Sequence, residues 1–227
     1  MDTTLAATTV RRARSDALAP LTGVVAVVLV LLGALVHDVI GDVPDGDAPA
    51  AQFATYYQEE DGSIWWASLL VFIGLAFFLW FVSTLRAALH EVEGGIGRLA
   101  QTAHAGGIAT AVLIFAGFGT QVSAAILVSD RDAPIDPEVA VGFWWVGDGM
   151  IVAAFYAAAV LLAATGFVIL RNGALVPRWF GWVTMALAVL LLVPWINWIG
   201  FFVFAVWVVV TSILLWRSSN VSQPAQS

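Results

Sequence analysis

Hydrophobic residues run in six long, continuous stretches, and polar residues are confined mainly to the connections between them. A helix needs about 20 residues to cross a hydrocarbon core of about 30 Å, and inside that core each peptide group must find a partner within its own segment. The stretches lie at residues 19–39, 65–85, 102–122 (with an apolar extension to 128), 150–170, 176–193 and 196–216. The sequence therefore predicts an all-α fold, a polytopic transmembrane helical bundle of six spans.

The arginines predict the orientation of this bundle. Eight of the nine fall on one side of it: Arg11, Arg12, Arg14, Arg86, Arg98, Arg171, Arg178 and Arg217. The opposite connections hold Arg131 and ten acids: Asp42, Asp45, Asp47, Glu59, Glu60, Asp61, Asp130, Asp132, Asp136 and Glu138. Because basic loops remain in the cytoplasm, both termini are expected there. Residues 1–16 and 218–227 are predicted to be disordered tails around a transmembrane domain at 17–217.

Composition excludes several classes of protein. Hydrophobic residues make up 61% of the chain and charged residues 11%, so no water-soluble domain is expected. Cysteine is absent, which excludes disulfides and thiolate chemistry, and lysine is absent, which excludes Schiff-base mechanisms. The net charge of −7 comes mostly from two acidic connections, so no nucleic-acid partner is predicted. An Ala-, Val- and Arg-rich chain without lysine suggests a high-GC bacterium, and hence its plasma membrane.

Small residues predict how the helices pack. Gly106 and Gly107 in span three and Ala154 and Ala158 in span four would let two backbones approach closely in lipid. We therefore expect these two spans at the centre, with spans two, five and six facing lipid. Tryptophans near the two membrane surfaces predict an aromatic belt: Trp65, Trp66, Trp144, Trp145, Trp195 and Trp198 on one side, and Trp179, Trp182 and Trp216 on the other.

Two connections on the acidic side contain sequence patterns that are typical of a helix start. Asp47 is a good N-cap for a short helix that ends near Gly62 and is predicted to lie on the membrane surface. Asp136-Pro137-Glu138 is a helix start about 12 residues before the hydrocarbon window of span four. That helix is either one rod or broken at Gly147-Asp148-Gly149. Two glycines around an acid favour the break, with Asp148 as N-cap of the membrane half.

Polar residues at the rim of the spans are the candidates for function, because placing them in a membrane is costly. Four of these polar residues lie at a similar depth in the membrane: His37, Asp38, Gln121 and Asp148. Four tryptophans lie at the same depth: Trp65, Trp66, Trp144 and Trp145. Asp148 is the candidate catalytic acid, and the predicted ligand-binding residues are His37, Asp38, Trp65, Trp66, Gln121, Trp144 and Trp145. The alternative interpretation is that these residues face lipid headgroups and that Asp148 only caps a helix.

No metal or cofactor is predicted. Adjacent residues on a helix, such as His37 and Asp38, point about 100° apart and rarely ligate the same ion. His90 and His104 differ in depth, whereas bis-histidine haem ligation needs two histidines at one level on facing helices.

One segment resembles a known family. The sequence RNGALVPRWFGW at residues 171–182 is followed by the fifth span, a short proline-containing turn and a tryptophan-bearing sixth span. This order resembles the C-terminal half of a bacterial family of six-span membrane proteins classed as a domain of unknown function, and length and topology agree along the whole chain. The resemblance implies a six-span membrane fold and brings no activity or catalytic residue with it.

Three functional hypotheses remain. The favoured one is that the protein binds or moves a small apolar or amphiphilic compound through an outward-facing pocket. The second is an intramembrane enzyme in which Asp148, in an aromatic pocket, protonates an isoprenoid or epoxide. Terpene cyclases with six to seven spans have this general size, but their acid motifs are not found in this sequence. The third is an accessory subunit whose small-residue face meets a membrane-protein partner or a second copy. Ion conduction is disfavoured, since spans five and six are almost devoid of polar side chains.

Overall fold

The computed structural model describes residues 18–40, 43–131, 134–172, 176–194 and 196–221. Several residues used above lie outside these ranges: Arg11, Arg12, Arg14, Asp42, Asp132 and Trp195, together with most of both predicted tails. The side chains of Arg131 and Trp198 are likewise not described. Within the described residues the chain forms helices and no strands, so the predicted all-α fold is confirmed.

Seven α-helices follow one another in the described part of the chain. They are α1 (Thr22–Leu35), α2 (Ala50–Glu59), α3 (Asp61–Glu93), α4 (Arg98–Arg131), α5 (Pro137–Asn172), α6 (Arg178–Leu191) and α7 (Asn197–Val221). A 3₁₀ turn at Ala19–Leu21 leads into α1, and a π-helical turn at Val36–Ile40 continues it.

Among the described residues, five helices are long and apolar enough to cross a membrane: Ala19–Val39, Asp61–Glu93, Arg98–Asp130, Pro137–Asn172 and Ile199–Ser218. They are the helices of an integral membrane protein. The predicted span at 176–193 is shorter, because α6 has 14 residues and a length of only about 21 Å. Prolines set its limits: Pro177 is the N-cap, and Pro194 disfavours helical geometry in the residue before it. Six crossings therefore remain a prediction.

Helix α5 runs without a break through Gly147-Asp148-Gly149, so the predicted break is wrong and the single rod is correct. Its 36 residues measure about 54 Å. Gly147 serves close packing instead of a bend, since a Cβ there would lie 2.9 Å from the carbonyl oxygen of Gly117 on α4. Asp148 is consequently inside a helix and not an N-cap. The predicted helix start is confirmed, because the Asp136 carboxylate accepts hydrogen bonds from the amides of Glu138 and Val139.

The membrane helices pack against their neighbours in chain order, and α7 returns to α1. The most extensive interface joins α4 and α5, as predicted. A Cβ at Gly106 would lie 2.6 Å from the amide nitrogen of Leu161, so the two backbones are in direct contact there. Gly107 was assigned to the same interface, but it faces Val82 of α3. Its assignment is wrong because adjacent residues of a helix point in different directions.

The expectation that span two faces lipid is also wrong. Helix α3 lies between α1 and α4. In its apolar 18-residue segment 44% of the residues are buried inside the protein, compared with 22% in the corresponding segment of α1. Its buried face is formed by Val71, Leu75, Phe78, Phe81 and Val82. The exposed tryptophans Trp65, Trp66, Trp145, Trp179 and Trp182 lie toward the helix ends, where an aromatic belt requires them.

The end of the bundle that carries Arg86, Arg98, Arg171, Arg178 and Arg217 is named the basic end, and the opposite one the acidic end. At the basic end a tight turn joins α3 to α4, with positive φ at Gly94, Gly95 and Gly97. The Glu93 carboxylate accepts hydrogen bonds from the amides of Leu99 (2.9 Å) and Ala100 (2.8 Å) and so caps α4. The Asn172 side chain donates to the Val92 carbonyl at 2.9 Å, which ties α5 to the same turn.

Candidate functional site

The π-helical turn at the end of α1 positions two of the predicted site residues. Its sequence, Val36-His37-Asp38-Val39-Ile40, contains three β-branched residues, which weaken the preference for an α-helix. A π turn is wider than an α turn, so neighbouring side chains diverge less. His37 and Asp38 accordingly meet, with 2.8 Å between His37 Nδ1 and Asp38 Oδ1. Short π segments are frequent at functional sites.

His37 reaches across the bundle to α4. Its Nε2 lies 3.4 Å from Oε1 of Gln121, and both side chains are buried. The Asp38 side chain is 67% exposed, so the pair joins a buried imidazole to a carboxylate at the surface.

The hydrogen bonds of His37 restrict the arrangement of protons. The Asp38 carboxylate accepts the Nδ1 hydrogen. Nε2 can then meet Gln121 in two ways: either it also carries a hydrogen and donates to Oε1, or the amide is turned over and its NH₂ group donates to Nε2. Both arrangements hold the imidazole between a carboxylate and an amide.

Aromatic rings surround this imidazole. It stacks on Trp144 of α5, with 6.0 Å between the ring centroids and 20° between the planes. It meets Tyr56 of α2 edge to face at 6.2 Å and Phe118 of α4 at 5.7 Å. We define the His37 cluster as His37, Asp38, Tyr56, Phe118, Gln121 and Trp144. Four helical elements, α1 with its π turn, α2, α4 and α5, contribute to it.

Helix α2 covers the cluster. The helix predicted after Asp47 is found at Ala50–Glu59, with Pro49 as N-cap instead of Asp47. Phe53, Tyr56 and Tyr57 are almost fully buried and pack on the outer turns of α4 and α5. The expectation that this helix rests on the membrane surface is therefore wrong: its apolar face closes the acidic end of the bundle. The stripe at positions 53, 56 and 57 has helical spacing, so it indicates one buried face.

The hydroxyls of Tyr56 and Tyr57 are buried and have no hydrogen-bond partner within the described part of the chain. Burial raises the pKa of both phenols. The neighbouring Tyr57 and the carboxylates of Asp38 and Glu60 raise the pKa of Tyr56 further. Both groups are consequently neutral at physiological pH. A buried polar group without a partner in the protein is uncommon, so these two hydroxyls are free to bond to a water molecule or a ligand.

An acidic groove opens beside the cluster. It is lined by Val43, Pro44, Asp45, Gln52, Thr55, Tyr56, Glu59 and Glu60. Tyr56 belongs to both the groove and the His37 cluster, so it forms the wall between them. Three of the eight lining residues are acids and none is basic.

An apolar cavity lies deeper in the bundle, between α1, α3, α4 and α7. Its lining comprises Ala26, Val27, Val30, Leu31, Leu75, Phe78, Thr110, Ile114, Phe201, Phe204, Ala205 and Val208. The only polar side chain among them, Thr110, donates its hydroxyl hydrogen to the Gly106 carbonyl and presents no free donor. The cavity therefore suits a hydrocarbon group.

The structure thus places the predicted site residues in two groups. His37, Asp38, Gln121 and Trp144 meet in one cluster. Asp148 is half-buried one helical turn from Trp144, and no hydrogen bond within the described residues connects it to the cluster.

Trp65 and Trp66 line a separate groove on the outside of α3 with Ser68, Leu69 and Phe72. Trp145 is 51% exposed and lies against Gly46. Their role in ligand binding stays a prediction.

Two residues of the cluster were missed from the sequence. Tyr56 lies in a connection, and Phe118 is an ordinary apolar residue of a span. The helical spacing of Phe53, Tyr56 and Tyr57 is the signal that could have identified Tyr56.

No group of three or more histidine and acidic side chains suited to a metal ion occurs in the described ranges.

Comparison with known proteins found no match: no protein family model, no curated protein and no solved structure matches this chain. The resemblance of residues 171–182 to a bacterial six-span family therefore stays a prediction. The interpretation of the site rests on its own geometry.

Proposed function

We propose that the protein is a multi-pass membrane protein that binds a small amphiphilic compound from the acidic side of the membrane. The polar part of the compound would lie at the His37 cluster, and its apolar part would extend into the apolar cavity. The single observation that carries this proposal is that the buried polar cluster and the cavity share two helices, α1 and α4, and lie one above the other along them.

The positions along α1 and α4 support this arrangement. On α4, Thr110, Ile114 and Phe118 succeed one another at four-residue intervals, and Gln121 follows three residues later, so they share one face. Gln121 is seven residues beyond Ile114, a rise of about 10 Å. On α1, His37 is six residues beyond Leu31, a rise of about 9 Å. A polar group bound at the cluster would thus have hydrocarbon space directly below it.

A set of three octyl compounds tests this proposal: octyl glucoside, octyl sulfate and octyltrimethylammonium, each below its critical micelle concentration. The full chain is placed in nanodiscs of uncharged lipid, and binding is measured by calorimetry against empty nanodiscs. At least one compound is expected to bind saturably with one site per chain. If none binds above the empty nanodiscs, the proposal is wrong.

Two neighbouring residues of α7 provide matched variants for this experiment. Ala205 lines the cavity, whereas Val206 is 62% exposed on the lipid side. Ala205→Phe fills the cavity and should weaken binding at least tenfold. Val206→Phe adds similar bulk toward lipid and should leave binding unchanged. Equal affinities in the two variants would place the hydrocarbon chain elsewhere.

We further propose that α6 completes six crossings of a bacterial plasma membrane, with both termini in the cytoplasm. The support is the distribution of arginines and the position of α6 between α5 and α7. Reporter fusions after Gly62 and after Gly173 should score outside and inside, respectively. Two signals of the same kind would overturn this topology.

A further inference from the structure

We infer that the polar part of the ligand is a cation, so that the site selects a cationic amphiphile such as an alkylammonium compound. This inference rests on the proposed function and specifies its ligand class. It depends on the charge of the acidic groove, on the unpartnered hydroxyl of Tyr56 and on the aromatic faces behind it.

Negative charge surrounds the entrance, and none of the described basic side chains compensates it. Asp45, Glu59 and Glu60 line the groove, and no ion pair involving them occurs among the described residues. The described arginine side chains, from Arg86 to Arg217, all belong to the basic end. Opposite ends of the membrane helices are separated by far more than a Debye length of about 10 Å, so these arginines cannot neutralise the groove.

Tyr56 provides an independent indication of a ligand. The residue is 4% exposed, it lines the groove, and its hydroxyl has no hydrogen-bond partner within the described residues. Burial, and then the charges of the neighbouring groups including Asp38 and Glu60, raise the pKa of this phenol, so it is neutral at physiological pH. A neutral phenol oxygen can accept a hydrogen bond from an ammonium group, which the carboxylates of the groove also attract.

The aromatic composition of the site points to the same ligand class. The faces of tyrosine and tryptophan rings attract cations, and the attraction is stronger where water is excluded. Tyr56 lines the groove and packs edge to face against Trp144 of the cluster, with 6.1 Å between their ring centroids. An anionic headgroup would meet carboxylates that have no basic partner among the described side chains, and an uncharged headgroup would leave their charge unchanged.

The three octyl compounds separate this inference from the proposed function. Octyltrimethylammonium is expected to bind at least tenfold more tightly than octyl glucoside or octyl sulfate at low salt, and its advantage should decrease as salt screens the groove. If all three bind equally, the inference is wrong and the amphiphile site remains. If none binds, both proposals fail.

Variants of the groove provide the second part of the test. Glu59→Gln combined with Glu60→Gln should reduce the preference for octyltrimethylammonium about tenfold, because an ion pair at the protein surface contributes up to about fivefold. Glu138→Gln, an exposed acid at the same end but outside the groove, is the control and should retain the preference. The melting temperature of each variant verifies folding. A preference that survives in the folded double variant would overturn the role of the groove.

Discussion

In the turn between α3 and α4 at the basic end, the polar groups that leave water have hydrogen-bond partners, whereas two buried phenols at the acidic end have none within the described residues. Glu93 accepts hydrogen bonds from two amides of α4, and Asn172 donates to the turn beside it. At the acidic end, the hydroxyls of Tyr56 and Tyr57 are buried without a partner in the described structure. Because unpaired buried groups cost stability, the first arrangement is typical of structural contacts and the second of a binding site.

The first way to test this comparison concerns the close helix contact in the basic half. Gly106→Ala should lower the free energy of unfolding by about 1–3 kcal/mol, since its Cβ would collide with the backbone of α5. Gly119→Ala on the same helix is the control, because nothing lies within 4 Å of its added Cβ. That variant should be neutral or more stable by up to about 1 kcal/mol, owing to helix propensity. Thermal unfolding in detergent measures both, and equal losses would contradict the close contact.

The second test removes the cap at the basic end. Glu93→Ala leaves the amides of Leu99 and Ala100 without their acceptor and should cost about 1–2 kcal/mol. Glu93→Gln keeps one carbonyl acceptor and should cost less. Glu91→Ala, an exposed acid two residues earlier, should not change the melting temperature. A melting temperature in Glu93→Ala that matches Glu91→Ala would show that this turn needs no cap.

The third test concerns the acidic end, where we expect a variant to keep or gain stability instead of losing it. Tyr56→Phe removes a buried hydroxyl that has no partner, so the free energy of unfolding should stay constant or increase by up to about 1 kcal/mol. Thr184→Val is the matched variant, since that hydroxyl accepts a hydrogen bond from Trp207 Nε1 at 2.9 Å. Its loss should destabilise the protein by about 1 kcal/mol. A clear loss of stability in Tyr56→Phe would mean that the phenol already has a structural role.

The smallest effect is expected for Asp148→Asn. The helix continues through this residue, and no hydrogen bond to its side chain is found in the described structure, so stability should change by less than about 0.5 kcal/mol. If Asp148 were an essential acid or a charged ligand contact, the variant would lose function while remaining folded. Affinity for the octyl compounds, measured beside the melting temperature, distinguishes the two cases.

The comparison of the two ends also shows where prediction from sequence succeeded. The long helices were predicted well because a hydrocarbon core requires about 20 apolar residues and internal hydrogen bonding, and both conditions can be read locally. The break in α5 was predicted wrongly because a glycine such as Gly147 is compatible with two different structures. A glycine can bend a helix or admit a neighbouring backbone, and only the position of Gly117 distinguishes them.

The candidate site was predicted in part. His37, Asp38, Gln121 and Trp144 were selected by depth alone, and the structure brings them together. Depth does not specify rotation about the helix axis, so Trp65 and Trp145, at the same level, face outward. Tyr56 was not selected, because the packing of a short helix against distant spans cannot be read from its own residues.

The sequence by itself determined that the chain is helical, that its helices suit a membrane and that positive and negative charges separate to opposite ends. These properties depend on composition and on spacing within about 20 residues. Only the tertiary structure decided that His37 meets Gln121, 84 positions away, and that α2 closes over both. The reason is physical: a hydrocarbon environment constrains the length and depth of a helix, whereas its rotation and its neighbours are set by contacts among side chains distant in the sequence.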